Sequence, residues 1–193
     1  MNEALLVIDT QKIYTNPDSE LYCEESDKAL DNINLLISSF ANKNKLIIMV
    51  RHIHKADGSD LGRMFDFAGP TEEFDFVEGT TEVEFSEGVE IHSNSHEIHK
   101  TRYSSFVGTK LMNLLNENQI KKVVICGFMT NFCCESTSRD AHDRDLYVDF
   151  IIDATGCPDL EHSNQDEIKH HVKEIMESGF AVVLTTKEYL EGQ

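Results

Sequence analysis

The apolar positions of the chain follow two rhythms. Residues 4–8 (Ala-Leu-Leu-Val-Ile) are apolar without a break and stop at Asp9, the pattern of a strand buried on both faces. Leu46 to Val50, Val123 to Cys126, Val148 to Ile152 and Ala181 to Leu184 repeat it, each short and bounded by polar residues. Between these runs the spacing becomes that of helices with one apolar face: Leu30, Ile33, Leu36, Ile37 and Phe40, then Leu111, Leu114 and Leu115, then Ile168, Val172, Ile175 and Met176. Strands alternating with helices predict βαβ units and an α/β fold, a three-layer α/β/α arrangement around a mainly parallel, doubly wound sheet. In such a sheet ligands bind outside the carboxyl ends of the strands.

Residues 56–97 break the rhythm, with Gly58, Gly62, Gly69, Pro70, Gly79 and Gly88 among scattered aromatics and acids. A segment of that length inside a compact domain predicts a lid or a contact with a partner subunit; a solvated connection with one short element is the other reading. Its end, Glu97 to Lys100, has the composition of a short strand. With no internal repeat, low-complexity tract or linker, residues 1–193 read as a single domain.

Charge narrows the partners. Thirty-five acidic residues against 17 basic ones give a formal charge of −18, which repels nucleic-acid backbones and anionic lipid headgroups. No apolar run is long enough to span a bilayer, and Met1 to Glu3 lacks the basic patch that opens a signal peptide, so a cytoplasmic protein is expected. The five cysteines (Cys23, Cys126, Cys133, Cys134, Cys157) form no disulfide framework and read as thiols, with Cys126 inside an apolar run as core.

Three residues are candidates for chemistry. Asp9 ends the first buried strand, where a doubly wound sheet places functional groups, although an Asp there also serves as a cap. A haloacid-dehalogenase-like phosphatase would need a second Asp where Gln11 stands, and a response-regulator receiver an Asp ending the strand at Val50; neither is present. Cys133 lies between the strand ending at Cys126 and a helix expected to begin near Asn131. There the free amides and positive dipole end would lower the thiol's pKa and serve a developing oxyanion. Cys134, about 100° further round, would face the core. Lys100 alone reads as a solvated lysine. Beside a thiol and a carboxylate it could steady both anions while Asp9 takes the thiol proton.

The blocks Leu-Leu-Val-Ile-Asp-Thr-Gln (residues 5–11), His-Lys-Thr-Arg-Tyr-Ser-Ser-Phe (99–106) and Cys-Gly-Phe-Met-Thr-Asn-Phe-Cys with the following Cys-Glu-Ser-Thr-Ser-Arg-Asp-Ala (126–141) resemble, in order, the signatures of the isochorismatase-like cysteine hydrolases. The resemblance implies a triad of Asp9, Lys100 and Cys133. It also implies a non-proline cis bond at Met129-Thr130 that turns amides toward the oxyanion. A cysteine at 133 is similar to the amidase branch, which hydrolyses nicotinamide, N-carbamoyl compounds, ureidoacrylate and related small amides through a thioester, and relatives are usually homo-oligomers. Gln11, Tyr103, Phe106 and His52 are the implied or candidate substrate contacts. Nicotinamidases carry an Asp-x-His pair after the second strand that binds a divalent metal; here Arg51-His52-Ile53-His54 lacks the carboxylate. No cofactor is therefore expected, with zinc or iron on His52 and His54 as the alternative. His92, His96 and His99 are further possible nitrogen donors, and His170 and His171 read as solvated.

Overall fold

The computed structural model describes residues 1–69 and 73–192; Pro70, named above, lies outside the described residues. Six parallel strands form one sheet in the order β3-β2-β1-β4-β5-β6. The strands are β1 (Glu3–Ile8), β2 (Leu46–His52), β3 (His96–Lys100), β4 (Lys122–Phe128), β5 (Tyr147–Gly156) and β6 (Val182–Leu184). The helices are α1 (Lys12–Thr15), α2 (Ser26–Asn42), α3 (Leu111–Glu117), α4 (Glu135–His142), α5 (Gln165–Gly179) and α6 (Thr186–Glu191). A π-helical turn, Thr130–Cys134, joins β4 to α4. All six residues of β1 are buried, as expected of a strand covered by helices on both sides.

The strand order reverses between β1 and β4. The chain winds outward from β1 through β2 to β3, then crosses back to β4 and winds the other way, leaving a crevice at the carboxyl ends of β1 and β4. Asp9 follows β1 and Cys133 follows β4, so topology alone brings them to one place.

α2 buries its whole expected apolar stripe, whereas α5 leaves Ile175 exposed. α2 buries Leu30, Ile33, Leu36, Ile37 and Phe40, and α5 buries Ile168, Val172 and Met176 behind an Asn164–Glu167 capping box. β5 differs: it runs to Gly156, past the expected end at Ile152. Its extra polar residues are satisfied by partners distant in sequence. Asp153 Oδ1 accepts from the Thr186 amide and hydroxyl at 2.7 and 2.8 Å, and Thr130 Oγ1 lies 2.9 Å from Thr155 Oγ1. Alternation of polar and apolar residues could not show these bonds.

Glu3, at the start of β1, carries a testable charge. Its carboxylate meets Lys45 Nζ at 2.6 Å, Lys122 Nζ at 3.1 Å and the Tyr189 hydroxyl at 2.9 Å. Burial pushes the group up, but these three donors together hold it below its ordinary value of 4.5. A carboxylate depressed in the folded state stabilises it above the unfolded pKa and loses that contribution as pH falls through the folded value. Glu3→Gln is therefore expected to lower stability at pH 7 and to flatten the loss of stability below pH 4.5, read by urea unfolding across pH 3–7.

Candidate active site

Asp9 leaves the sheet in a left-handed conformation (φ 50°), with its amide bonded to Val50 O at 2.9 Å. Asp tolerates this region better than most residues, and the turn sends its carboxylate across the sheet edge. Lys100 is the last residue of β3, in register with His52 of β2. β4 reaches the edge through Gly127, whose φ of +118° and lack of a side chain allow close approach to Ile8; a Cβ there would collide with the Ile8 carbonyl.

Lys100 joins the three groups. Its Nζ lies 2.8 Å from Asp9 Oδ2, 3.2 Å from Cys133 Sγ and 3.0 Å from the Arg102 carbonyl, so all three ammonium hydrogens have acceptors. Asp9 is 0% exposed, Lys100 1% and Cys133 2%, so this is an enclosed site in which charges act through little water.

The enclosure overturns one expectation. Cys133 does lie in the first turn after β4, but burial outweighs the helix terminus and the nearby ammonium, and the thiol is pushed up to about 12. Burial also raises Asp9, against the lowering effect of Lys100, while Asp9 and the Cys133 sulfur hold Lys100 above its ordinary value despite burial. The resting arrangement is a thiol beside a basic carboxylate and a fixed cation. Cys134 is fully buried, facing the core as expected.

Further differences concern neighbouring residues. The cis peptide bond is Phe128-Met129, one residue earlier than the expected Met129-Thr130, because β4 continues to Phe128 and the chain leaves the sheet there. The Thr130 hydroxyl is engaged with Thr155. Gln11 is not free to hold a substrate: its Nε2 donates to His52 O at 2.9 Å and Val83 O at 3.1 Å, and its Oε1 accepts from the His52 amide at 2.8 Å. It clamps the end of β2. Phe106 is buried in the apolar core with the Arg144 guanidinium 5.0 Å from its ring centre. Tyr103 is 38% exposed with its ring 5.4 Å from Phe132, at the outer side of the site.

The two histidines of β2 are drawn inward. The His52 ring stacks on Phe76 (centroids 4.3 Å, interplanar angle 9°), and its Nε2 lies 3.0 Å from His54 Nε2. His54 Nδ1 lies 3.2 Å from Asp60 Oδ1, with Phe65 and Phe74 around the ring. Burial, and after it Lys100, pushes His52 well below its ordinary pKa, leaving the ring neutral. Phe65, Phe74 and Phe76 come from the segment without periodicity, which pairs back on His54 through the Phe76 carbonyl at 2.7 Å. Sequence reasoning missed Asp60, Phe76 and Arg102 as parts of this wall. The nearest signal was the turn-forming Gly58 to Gly62 stretch, whose Asp60 carbonyl accepts from Arg102 Nη1 at 2.9 Å.

Two donor sets come together near the site. The facing Nε2 atoms of His52 and His54 form no ligand cluster with a third residue among the described residues, and the Asp60 carboxylate is directed to His54's other nitrogen. Asp9, His52 and Cys133 do bring one ligand atom each within 4.8 Å of one another. There the Lys100 ammonium already lies 2.8 Å from the carboxylate and 3.2 Å from the sulfur, and a divalent ion would be pressed against a buried cation. His92, His96 and His99 are exposed, as are His170 and His171.

The sheet order and this buried trio define a three-layer α/β protein with a thiol, a carboxylate and an ammonium at its topological switch point. Residues 3–188 match the Isochorismatase domain. An uncharacterized isochorismatase family protein, YddQ, of Bacillus subtilis is 27% identical over 99% of this chain and 100% of its own. Nicotinamidase 3 of Arabidopsis thaliana is 29% identical over 79% of this chain and 72% of its own. The crystal structure of a cysteine hydrolase from Pseudomonas syringae pv. phaseolicola superposes with a TM-score of 0.90 at 28% identity, covering 98% of this chain and 91% of that one. The chain belongs to the isochorismatase family, and it is a hydrolase. Among the described residues no helix is long and apolar enough to cross a membrane.

Proposed function

We propose that this hydrolase cleaves a small amide or carbamoyl compound through a thioester on Cys133, with Asp9 as the proton carrier and Lys100 holding both anions. The observation that carries the reading is the single ammonium at 2.8 Å from Asp9 and 3.2 Å from Cys133 in a site without exposed surface. As substrate enters, Asp9 takes the thiol proton and the sulfur attacks the carbonyl carbon. The amides following the Phe128-Met129 bond, at Met129 and Thr130, receive the oxyanion. The C–N bond breaks, the nitrogen leaves with the proton from Asp9, and water then releases the acid from the thioester. Segment 56–97 acts as the lid, since its aromatic rings line the wall beside His52 and His54. The test is ammonia release from a panel of primary amides and N-carbamoyl compounds, with acid-quenched mass spectrometry of the Cys133 peptide. An acyl adduct on Cys133 is expected; no ammonia and no adduct across the panel overturns the reading.

The same assay examines the metal. Dialysis against EDTA is expected to leave turnover unchanged. A loss of about tenfold or more, restored by zinc or iron, would instead place a metal on His52 and His54.

A further inference from the structure

Ser105 and Thr137 are completely buried polar residues that the mechanism above does not use. Ser105 donates its amide to Thr137 Oγ1 at 3.0 Å, and the two hydroxyls lie 3.1 Å apart. The Ser105 carbonyl accepts from the Thr109 hydroxyl at 2.6 Å, so each of its polar groups has a partner. One residue earlier, Ser104 Oγ donates to one oxygen of the Asp140 carboxylate, and Arg144 holds the other.

These bonds join parts of the site that the sheet leaves apart. Lys100 ends β3, an edge strand paired to β2 alone, whereas Cys133 follows β4 on the far side of β1. No single strand pairing connects the lysine to the nucleophile. Residues 101–110, which lead away from Lys100, form neither helix nor strand and make a strap from the end of β3 to α4. Near the start of the strap the Arg102 carbonyl accepts from Lys100 Nζ at 3.0 Å. Three residues on, Ser105 is bonded to Thr137. Thr137 stands four residues after Cys133, one helical turn along on the same face. One buried hydroxyl thus ties the strap whose carbonyl aims the ammonium to the helix that follows the sulfur.

We propose that Thr137 is a positioning residue for the hydrolysis: by pinning the strap at Ser105 it fixes the Arg102 carbonyl, and through it holds the Lys100 ammonium between Asp9 Oδ2 and Cys133 Sγ. The inference rests on the thioester reading above, in which the 3.2 Å contact between ammonium and sulfur is used. A lysine side chain is a flexible stem, so an ammonium aimed by a carbonyl keeps its place only as well as that carbonyl does. Thr137 takes no proton and forms no bond to the substrate.

The probe is p-nitrophenyl acetate: Cys133 Sγ bonds to the acetyl carbon as its proton passes to Asp9, the ester C–O bond breaks, and nitrophenolate leaves as a coloured burst. In Thr137→Val, which keeps the branched shape without the oxygen, the burst rate constant at saturating ester is expected to fall about tenfold or more, with the half-saturating concentration within about twofold of wild type. Thr137→Ser, which keeps the hydroxyl, is expected to stay within about threefold of wild type. Ser138→Ala is the control. That hydroxyl is equally buried but bonds inside the helix, to the Cys134 carbonyl at 2.8 Å, so its loss should lower stability and leave the burst rate unchanged. A wild-type burst rate in Thr137→Val, or parallel losses in Thr137→Val and Ser138→Ala, overturns the proposal. Hydrogen exchange of the wild-type protein requires no variant to fold: the Ser105 amide is expected to be protected as strongly as the amides of β4, and exchange at the rate of an open loop overturns the proposal. A wild-type protein with no burst and no acetyl group on Cys133 is a different result, which overturns the thioester reading itself and the role of Thr137 with it.

Discussion

Cys133→Ala is expected to lower kcat/KM for the amide substrate by about 10⁴-fold or more, leaving a folded protein. The size follows from the proposed thioester mechanism, in which the sulfur lies 3.2 Å from the ammonium that also holds Asp9. The fold should hold because the change deletes one buried sulfur and leaves the Asp9–Lys100 ion pair at 2.8 Å intact. Ammonia release and circular dichroism on the same preparation check both halves. Turnover within about tenfold of wild type would show that another nucleophile acts.

Lys100→Met is expected to destabilise the protein by about 3–5 kcal/mol as well as abolish turnover. Lys100 is 1% exposed and Asp9 0%, so removing the cation leaves a carboxylate with no water and no counter-charge. For a chain of 193 residues that corresponds to a melting temperature lower by about 10 °C. The double variant Asp9→Asn/Lys100→Met has no unpaired charge and should regain much of the loss, although it remains inactive. Urea unfolding of the two variants beside wild type measures the difference. Equal stability of single and double variants would mean that Asp9 is already protonated in the folded protein.

Such a pair costs desolvation that a well-packed apolar pair would avoid, so stability does not explain its presence. The proposed chemistry does: a carboxylate raised by burial is a stronger base than a free one, and a buried ammonium can hold whichever of the two groups is anionic. That both groups share one cation makes proton transfer between them possible without separating charge.

Much of this was legible in the chain. The unbroken apolar run before Asp9 and the helical stripes of α2 and α5 gave the parallel sheet, because a strand covered on both faces and a helix covered on one leave different periods. The strand-end positions of Asp9 and Lys100 and the turn at Cys133 were visible as well, while the trio itself was implied by the resemblance of the three blocks to the family signatures. Where β5 ends was not, since the polar residues that closed its apolar pattern are bonded to Thr186 and Thr130.

The sequence by itself determined the sheet, its helices and which residues stand at the carboxyl edge, because these depend on local periodicity. Only the tertiary structure decided their states. That Cys133 is a buried thiol with its pKa pushed up to about 12, that Gln11 is a clamp, and that His52 is neutral with an unpartnered nitrogen all depend on groups brought in from far along the chain. Asp60, Phe76 and Lys100 are such groups. Solvation and electrostatic interaction act through space, and a pattern of neighbours in sequence does not record who will be near, or whether water will be.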